Sequence, residues 1–205
     1  PFTAHENSTQ TVVEPGNPPT PLTEGTVGNL HDVLDRNMSI ETPQAEHGLM
    51  EISRADRQFD LASFLSGAQA AFVIVVEAFA NHDREVLGSL LHEPVYKAFD
   101  QVMRDREEAK QEASVEIHAV RRTEVVDAYV KDQIAYITVK FVADETNVLR
   151  DENGEYIYGN PDYITETIDI WTFGRHIKSR DPSWMIYETR DEDAADQDHK
   201  TVPDA

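Results

Sequence analysis

Pro94-Val95-Tyr96-Lys97-Ala98-Phe99-Asp100-Gln101-Val102-Met103-Arg104-Asp105-Arg106-Glu107-Glu108-Ala109-Lys110-Gln111-Glu112-Ala113-Ser114-Val115-Glu116-Ile117-His118-Ala119 changes its hydrophobic period part-way along. Val95, Phe99, Val102 and Met103 recur three and four residues apart, which predicts a helix, and Pro94 suits its first turn. Beyond Glu112 the pattern is one of alternation: Val115, Ile117 and Ala119 against Glu116, His118 and Val120. That is the period of a strand. A chain that switches once from helices to strands belongs to the α+β class.

Towards the N-terminus, Asp60 is placed to cap a helix running to about Asn81. Its apolar stripe is Leu61, Phe64, Leu65, Ala68, Phe72, Val75, Val76 and Phe79. Asn81-His82-Asp83 ends it and caps a short second helix carrying Val86, Leu87, Leu90 and Leu91. Helices are therefore expected near 60–80, 83–91 and 93–111. Towards the C-terminus, strands follow through Val126, from Gln133 to Leu149, from Tyr163 to His176 and from Trp184 to Thr189. Lys131-Asp132, Asp151-Glu152-Asn153-Gly154, Gly159-Asn160-Pro161 and Ser179-Arg180-Asp181-Pro182 punctuate them. Short connections favour antiparallel neighbours, so a four-stranded meander is expected. Its long strands would curve around the helical hairpin into a cone, with an apolar lining of Phe72, Val76, Phe79, Phe99, Phe141 and Ile170.

The ends read differently. Residues 1–60 hold ten Asp/Glu against three Lys/Arg, and residues 191–205 hold six against one. Such stretches lack the apolar surface that offsets chain ordering. The division is then an acidic, proline-containing linker with short helices over 1–54, a domain over 55–190 and an acidic tail over 191–205. Leu30–Leu34 and Gly48–Ile52 are the linker's apolar segments, suited to docking on the domain or on a partner. A formal charge of −21 excludes non-specific nucleic-acid binding and opposes spreading on anionic lipid. With no cysteine there is no disulfide or thiolate chemistry. The longest apolar run, Ala70–Val76, is too short to cross a bilayer. A chain starting at Pro1 points to an upstream targeting or membrane segment.

No assembled catalytic site is legible. His82, His92, His118 and His176 are dispersed, so no metal is expected, and no glycine-rich loop leads a strand into a helix, so no nucleotide cofactor is expected either. Asp169, in Ile168-Asp169-Ile170-Trp171-Thr172-Phe173, is the carboxylate with most to offer. Buried, it would suit a general base of a small-molecule enzyme. Alternation gives a simpler reading, with Ile168 and Ile170 facing the helices and Asp169 facing water.

Several separated segments resemble the Tim44-like domain family. Phe59-Asp60-Leu61-Ala62-Ser63-Phe64-Leu65-Ser66-Gly67-Ala68, Ala78-Phe79-Ala80-Asn81-His82-Asp83 and Leu90-Leu91 look like its opening. Val139-Lys140-Phe141 follows, then Asp169-Ile170-Trp171-Thr172-Phe173-Gly174-Arg175 and Asp181-Pro182-Ser183-Trp184. The family pattern DxWTFxR…PxW is thus kept in order by Asp169, Trp171, Phe173, Arg175 and Trp184. The chain is most similar to the bacterial branch, the Tim44/TimA-type adaptors. The resemblance implies an NTF2-like, cystatin-related cone and a non-enzymatic adaptor role at the bacterial inner membrane, in protein transport or assembly. Anchoring would be through an N-terminal helix upstream of Pro1. Partners would be a membrane protein or an unfolded, translocating polypeptide, with lipid contact, no nucleic acid and no cofactor. Mitochondrial members help recruit the import motor to a translocation channel. This chain departs from them in lacking their long basic motor-binding region, which takes Hsp70 recruitment out of the expectation. A lipid-binding or structural module is the remaining alternative.

Overall fold

Residues 34–192 are described in a computed structural model of the chain. Thr42, Asp60 and Asp83 start α1 (Pro43–Ala55), α2 (Leu61–Ala80) and α3 (Arg84–Leu90), each accepting a hydrogen bond from the backbone N–H three residues on. In α4 (Glu93–Glu108), Pro94 occupies the first turn, where a missing N–H costs nothing. α2 ends in a Schellman turn. The Asp83 N–H donates to Ala78 O (2.8 Å), the His82 N–H donates to Phe79 O (3.3 Å), and His82 is left-handed at φ 55°. Lys110 ends α4 the same way at φ 52°, with the Gln111 N–H on Arg106 O (2.8 Å).

The strands are β1 (Met38–Ile40), β2 (Glu112–Lys131), β3 (Ile134–Arg150), β4 (Tyr156–Tyr158), β5 (Thr165–His176) and β6 (Met185–Asp191). They form one sheet in the order β1-β2-β3-β5-β6, with β4 paired to the end of β3. β2, β3, β5 and β6 are antiparallel neighbours, whereas β1 lies parallel to β2. Asp132 and Gln133 turn β2 into β3 with φ of 52° and 65°, the two positive values a type I′ hairpin requires.

This architecture corrects the expected one. In place of a cone of three helices on a four-stranded antiparallel sheet, the described residues form four helices on an open six-stranded mixed sheet. β1 and β6 are its two edges and do not pair with each other, so the sheet does not close. The reason lies in residues 38–55. β1 extends the sheet beyond β2, and α1 then folds back over β2 with Leu49 and Ile52 fully buried. Gly48–Ile52 therefore docks on its own domain. Of Leu30–Leu34 only Leu34 is described, and it packs on the core. The expected linker before Leu34 and the expected tail beyond Glu192 lie outside the described residues.

The helices cover one face of the sheet. Along it, register matches Ile137 to Phe173, Val139 to Trp171 and Phe141 to Asp169, so one row of side chains runs the length of β3 and β5 towards α2. Trp171, Phe72, Phe79, Phe99 and Phe141 are the largest fully buried side chains in the core between. Burying side chains of this size is the main favourable contribution to folding.

Candidate functional site

Asp169, Trp171, Phe173 and Arg175 are two residues apart in a strand, so all four share a face, and it is the helix-facing one. The simpler alternation reading is thereby reversed: Ile168 and Ile170 are half-buried and Asp169 is only 6% exposed. The deciding signal was the parity of the two large aromatics, whose area outweighs that of two isoleucines. The motif runs across the whole inner face, from a polar cavity at Asp169, through the core, to a groove at Arg175.

Phe72 stacks on Phe141 (4.7 Å, 17°) and lies 5.0 Å from the Trp171 ring, while Phe79 meets Phe99 at 4.7 Å. The fold thus brings Phe72, Val76, Phe79, Phe99 and Phe141 into one buried cluster. Ile170 is separated from them. It lies on the opposite face of β5, at the register position of Lys140, whose ammonium pairs with Glu41 and Glu124, both at 3.2 Å.

Val76 and Phe79 also form the apolar wall of a cavity of about 390 Å³ at the end of the core. Its other walls come from the sheet and from the segment around β4: Glu145, Asn147, Asp169 and Asp191, then Tyr158, Gly159 and Tyr163. Glu145 continues the inward parity of Phe141 and Ala143, a charge on an apolar row, which is the sequence signal that marks it. Asp191 is the register partner of Asp169 on β6. Burial pushes the Glu145 carboxyl up to about 7, with the Asp191 charge adding to it. Burial likewise holds Asp169 well above the ordinary aspartate range, reinforced by Asp191 and Glu145 and opposed by the Trp171 indole, which donates to Asp169 Oδ1 at 3.3 Å. The Glu145 carboxyl can therefore retain its proton near neutrality and offer an O–H donor as well as an acceptor. Among the described residues, no three His, Cys, Asp or Glu side chains are arranged to hold a metal ion.

At the far end of the motif, Arg175 forms a buried ion pair with Asp56, the C-cap of α1, and its guanidinium stands 5.2 Å from the Trp184 ring centroid. Trp184 packs edge-on against Phe64 (4.7 Å) and Phe59 (6.0 Å). Arg175 and Trp184 thereby fasten the α1–α2 junction to the β5–β6 connection. A groove of about 430 Å³ between them is floored by Phe64, Ala68 and Phe173. Asp56 escaped sequence reading because a single carboxylate at a helix end carries no periodic signal.

The segment between β3 and β5 is the most exposed apolar feature. Of the seven large hydrophobic side chains exposed among the described residues, five lie here: Tyr156, Ile157, Tyr158, Tyr163 and Ile164. The backbone approaches β3 closely, since a Cβ at Gly159 would stand 1.8 Å from Asn147 O, and its φ of +73° also favours glycine. Tyr158 and Tyr163 thus hang over the cavity mouth while Ile157 and Ile164 face outward from the body. α2, by contrast, is long and apolar enough to cross a membrane, and it occupies the core, with Phe72, Val75 and Phe79 buried.

Residues 45–191 match the Tim44-like domain. A curated relative, "Probable mitochondrial import inner membrane translocase subunit tin-44" of Caenorhabditis elegans, is 25% identical over 147 residues, which is 68% of this chain and 34% of the relative. The chain therefore spans about a third of that protein's length. Among solved structures, the "Crystal structure of intermembrane space region of chloroplast protein ARC6" aligns with a TM-score of 0.44 at 13% identity, covering 65% of this chain and 97% of that one. With the match running from α1 to the last residue of β6, the chain belongs to the Tim44-like domain family.

Proposed function

We propose that this domain is a non-enzymatic, membrane-associated adaptor whose exposed arm, residues 156–164, takes a protein partner in transport or assembly at a bacterial inner membrane. The observation that carries the reading is the concentration of five exposed tyrosine and isoleucine side chains on one short segment. Contiguous exposed apolar surface is uncommon on monomers and marks interaction sites, and tyrosine anchors recur at interface centres. Family membership supports the same direction, as does the name of the nematode relative, a probable subunit of the mitochondrial import translocase. The partner fits a membrane protein or a translocating polypeptide better than a bare lipid surface. Glu152, Glu155 and Glu166 flank the arm and Asp162 lies within it, and their charge is repelled by anionic headgroups.

The test places a photocrosslinking residue at Ile157, with Lys97 on α4 as control, in the protein expressed in its native membranes. Crosslinks to a protein from Ile157 but not from Lys97 are expected, and Ile157→Asp should abolish the same association while leaving thermal stability unchanged. Equal crosslinking from both positions would defeat the reading. So would retention of the soluble domain on protein-free anionic liposomes with no protein captured.

A further inference from the structure

The sheet face turned away from the helices carries a strip of aromatic rings. Tyr129, Tyr136 and Gly174 are register partners on β2, β3 and β5, and Tyr187 of β6 leans over Gly174, where a Cβ would stand 2.6 Å from its ring. Tyr129 stacks on Tyr136 (5.1 Å, 28°), Tyr136 meets Tyr187 edge-on (5.3 Å, 87°), and Tyr187 stacks on His92 (4.0 Å, 13°). Four rings thus run in a row across the strands. Tyr129 is 39% exposed and the other three are half-buried. The next row on this face is Asp127, Thr138, Thr172 and Glu188, again one residue from each of the four strands. Its two threonines bond to each other (3.0 Å), which leaves a carboxylate at either end. Elsewhere on the face acids are neutralised, Glu41 and Glu124 by Lys140 and Asp144 by Arg121. Asp127 and Glu188 make no ion pair among the described residues, although Lys131, His176 and Arg190 stand in the adjoining rows. Burial raises the Tyr129 phenol above its ordinary value, and the charges of Asp127 and Glu188 add to it, so both carboxylates act at this ring.

We propose that this face is a second docking surface, which takes an extended, arginine-bearing segment of a protein partner, with guanidinium groups flat on the tyrosine rings and forked onto Asp127 and Glu188. Charge complementarity selects the occupant. Two unneutralised carboxylates beside aromatic faces attract a cation, and a planar guanidinium can stack on a ring while pairing with a carboxylate through two N–H donors. Spacing sets the form of the segment. Asp127 and Glu188 are three strand spacings apart, roughly 14 Å, which is also the reach between side chains four residues apart in an extended chain. The surface shares no residue with the arm, so its failure would leave the adaptor reading untouched.

The experiment titrates the full chain, at about 0.15 M NaCl where long-range attraction is largely screened, with a short serine–threonine peptide carrying two arginines four positions apart. Tyrosine ring resonances are followed by NMR. The Tyr129 and Tyr136 signals should move, and the lysine counterpart should bind about threefold more weakly, since an ammonium is not a planar fork. Tyr129→Ser should weaken the arginine peptide about fivefold. Glu188→Gln, which removes a charge at an exposed position with little change in shape, should weaken it about threefold and keeps the test independent of ring packing. Glu116→Gln, on the same face near the other end of β2, should leave binding unchanged. Rings that do not move overturn the proposal. So does equal binding of the lysine peptide, or a loss from Glu116→Gln that matches the loss from Glu188→Gln, because net charge alone would then attract the peptide. Sedimentation of the chain without peptide is the last arm: a dimer that Tyr129→Ser dissociates would assign the strip to a second copy of the chain and overturn the proposal as well.

Discussion

Gly48 is the point at which α1 touches the sheet backbone to backbone. A Cβ there would lie 1.7 Å from the Ala128 carbonyl oxygen, an atom that cannot rotate away. Gly48→Ala should therefore push α1 off β2 and destabilise the domain by about 3 kcal/mol, measured by urea unfolding, despite alanine's better helix propensity. A gain in stability would show that α1 is not seated as described. Gly174 has a related role with softer neighbours, since its missing side chain leaves room for the rings of Tyr187 and Tyr136 at 2.6 and 3.2 Å. Tyr187 in turn stacks on His92 at 4.0 Å, which joins the start of α4 to β6. Residue identity at these glycines was plain in the sequence. Their necessity was not, because it depends on a chain segment some eighty residues away for Gly48 and on strand register for Gly174.

Elements were legible to the degree that each carried its own period. The α2 stripe, the caps at Asp60 and Asp83, and the change to alternation after Glu112 all express local rules, and the structure has α2, α3, α4 and β2 there. α1 was read as linker because its inward set, Ala45, Leu49 and Ile52, is narrow and lies in an acidic, proline-flanked stretch. Only docking on β2 gives it a reason to be helical. The β2–β3 turn offers an element-scale test. Gln133 holds φ of 65° without being glycine, and type I′ hairpins prefer glycine at the second position. Gln133→Gly should stabilise the hairpin by about 0.5–1 kcal/mol, seen as a higher denaturant midpoint at unchanged m. A lower midpoint would mean that the Gln133 side chain contributes more than its backbone strain costs.

At the scale of the molecule, charge is the dominant stress. The formal −21 is only locally compensated, as where Arg84 binds Asp100 (2.8 Å) and Glu107 (2.9 Å) to fasten α3 to α4. Those two carboxyls are held below their usual range, chiefly by hydrogen bonds from Arg84, so their stabilisation is present above that range and lost as pH falls through it. Glu145 and Asp169 act with the opposite sign and lose stability as pH rises. Salt separates these local effects from the global one. Screening weakens exposed ion pairs slightly and long-range repulsion more, so raising NaCl from about 0.02 M to about 0.5 M should raise Tm by about 3–5 °C. A fall in Tm would show that the ion pairs outweigh the net charge. The sequence by itself determined the α+β class, the helix and strand periods, the family motif and the net charge, because periodicity, capping and charge are local or additive. Tertiary structure alone decided that the sheet stays open, that β1 and α1 belong to it, and that Asp169 turns inward to meet Glu145 and Asp191. Register and sheet order depend on which strands pair, and pairing is settled by the summed burial of the whole inner face rather than by any one strand's alternation.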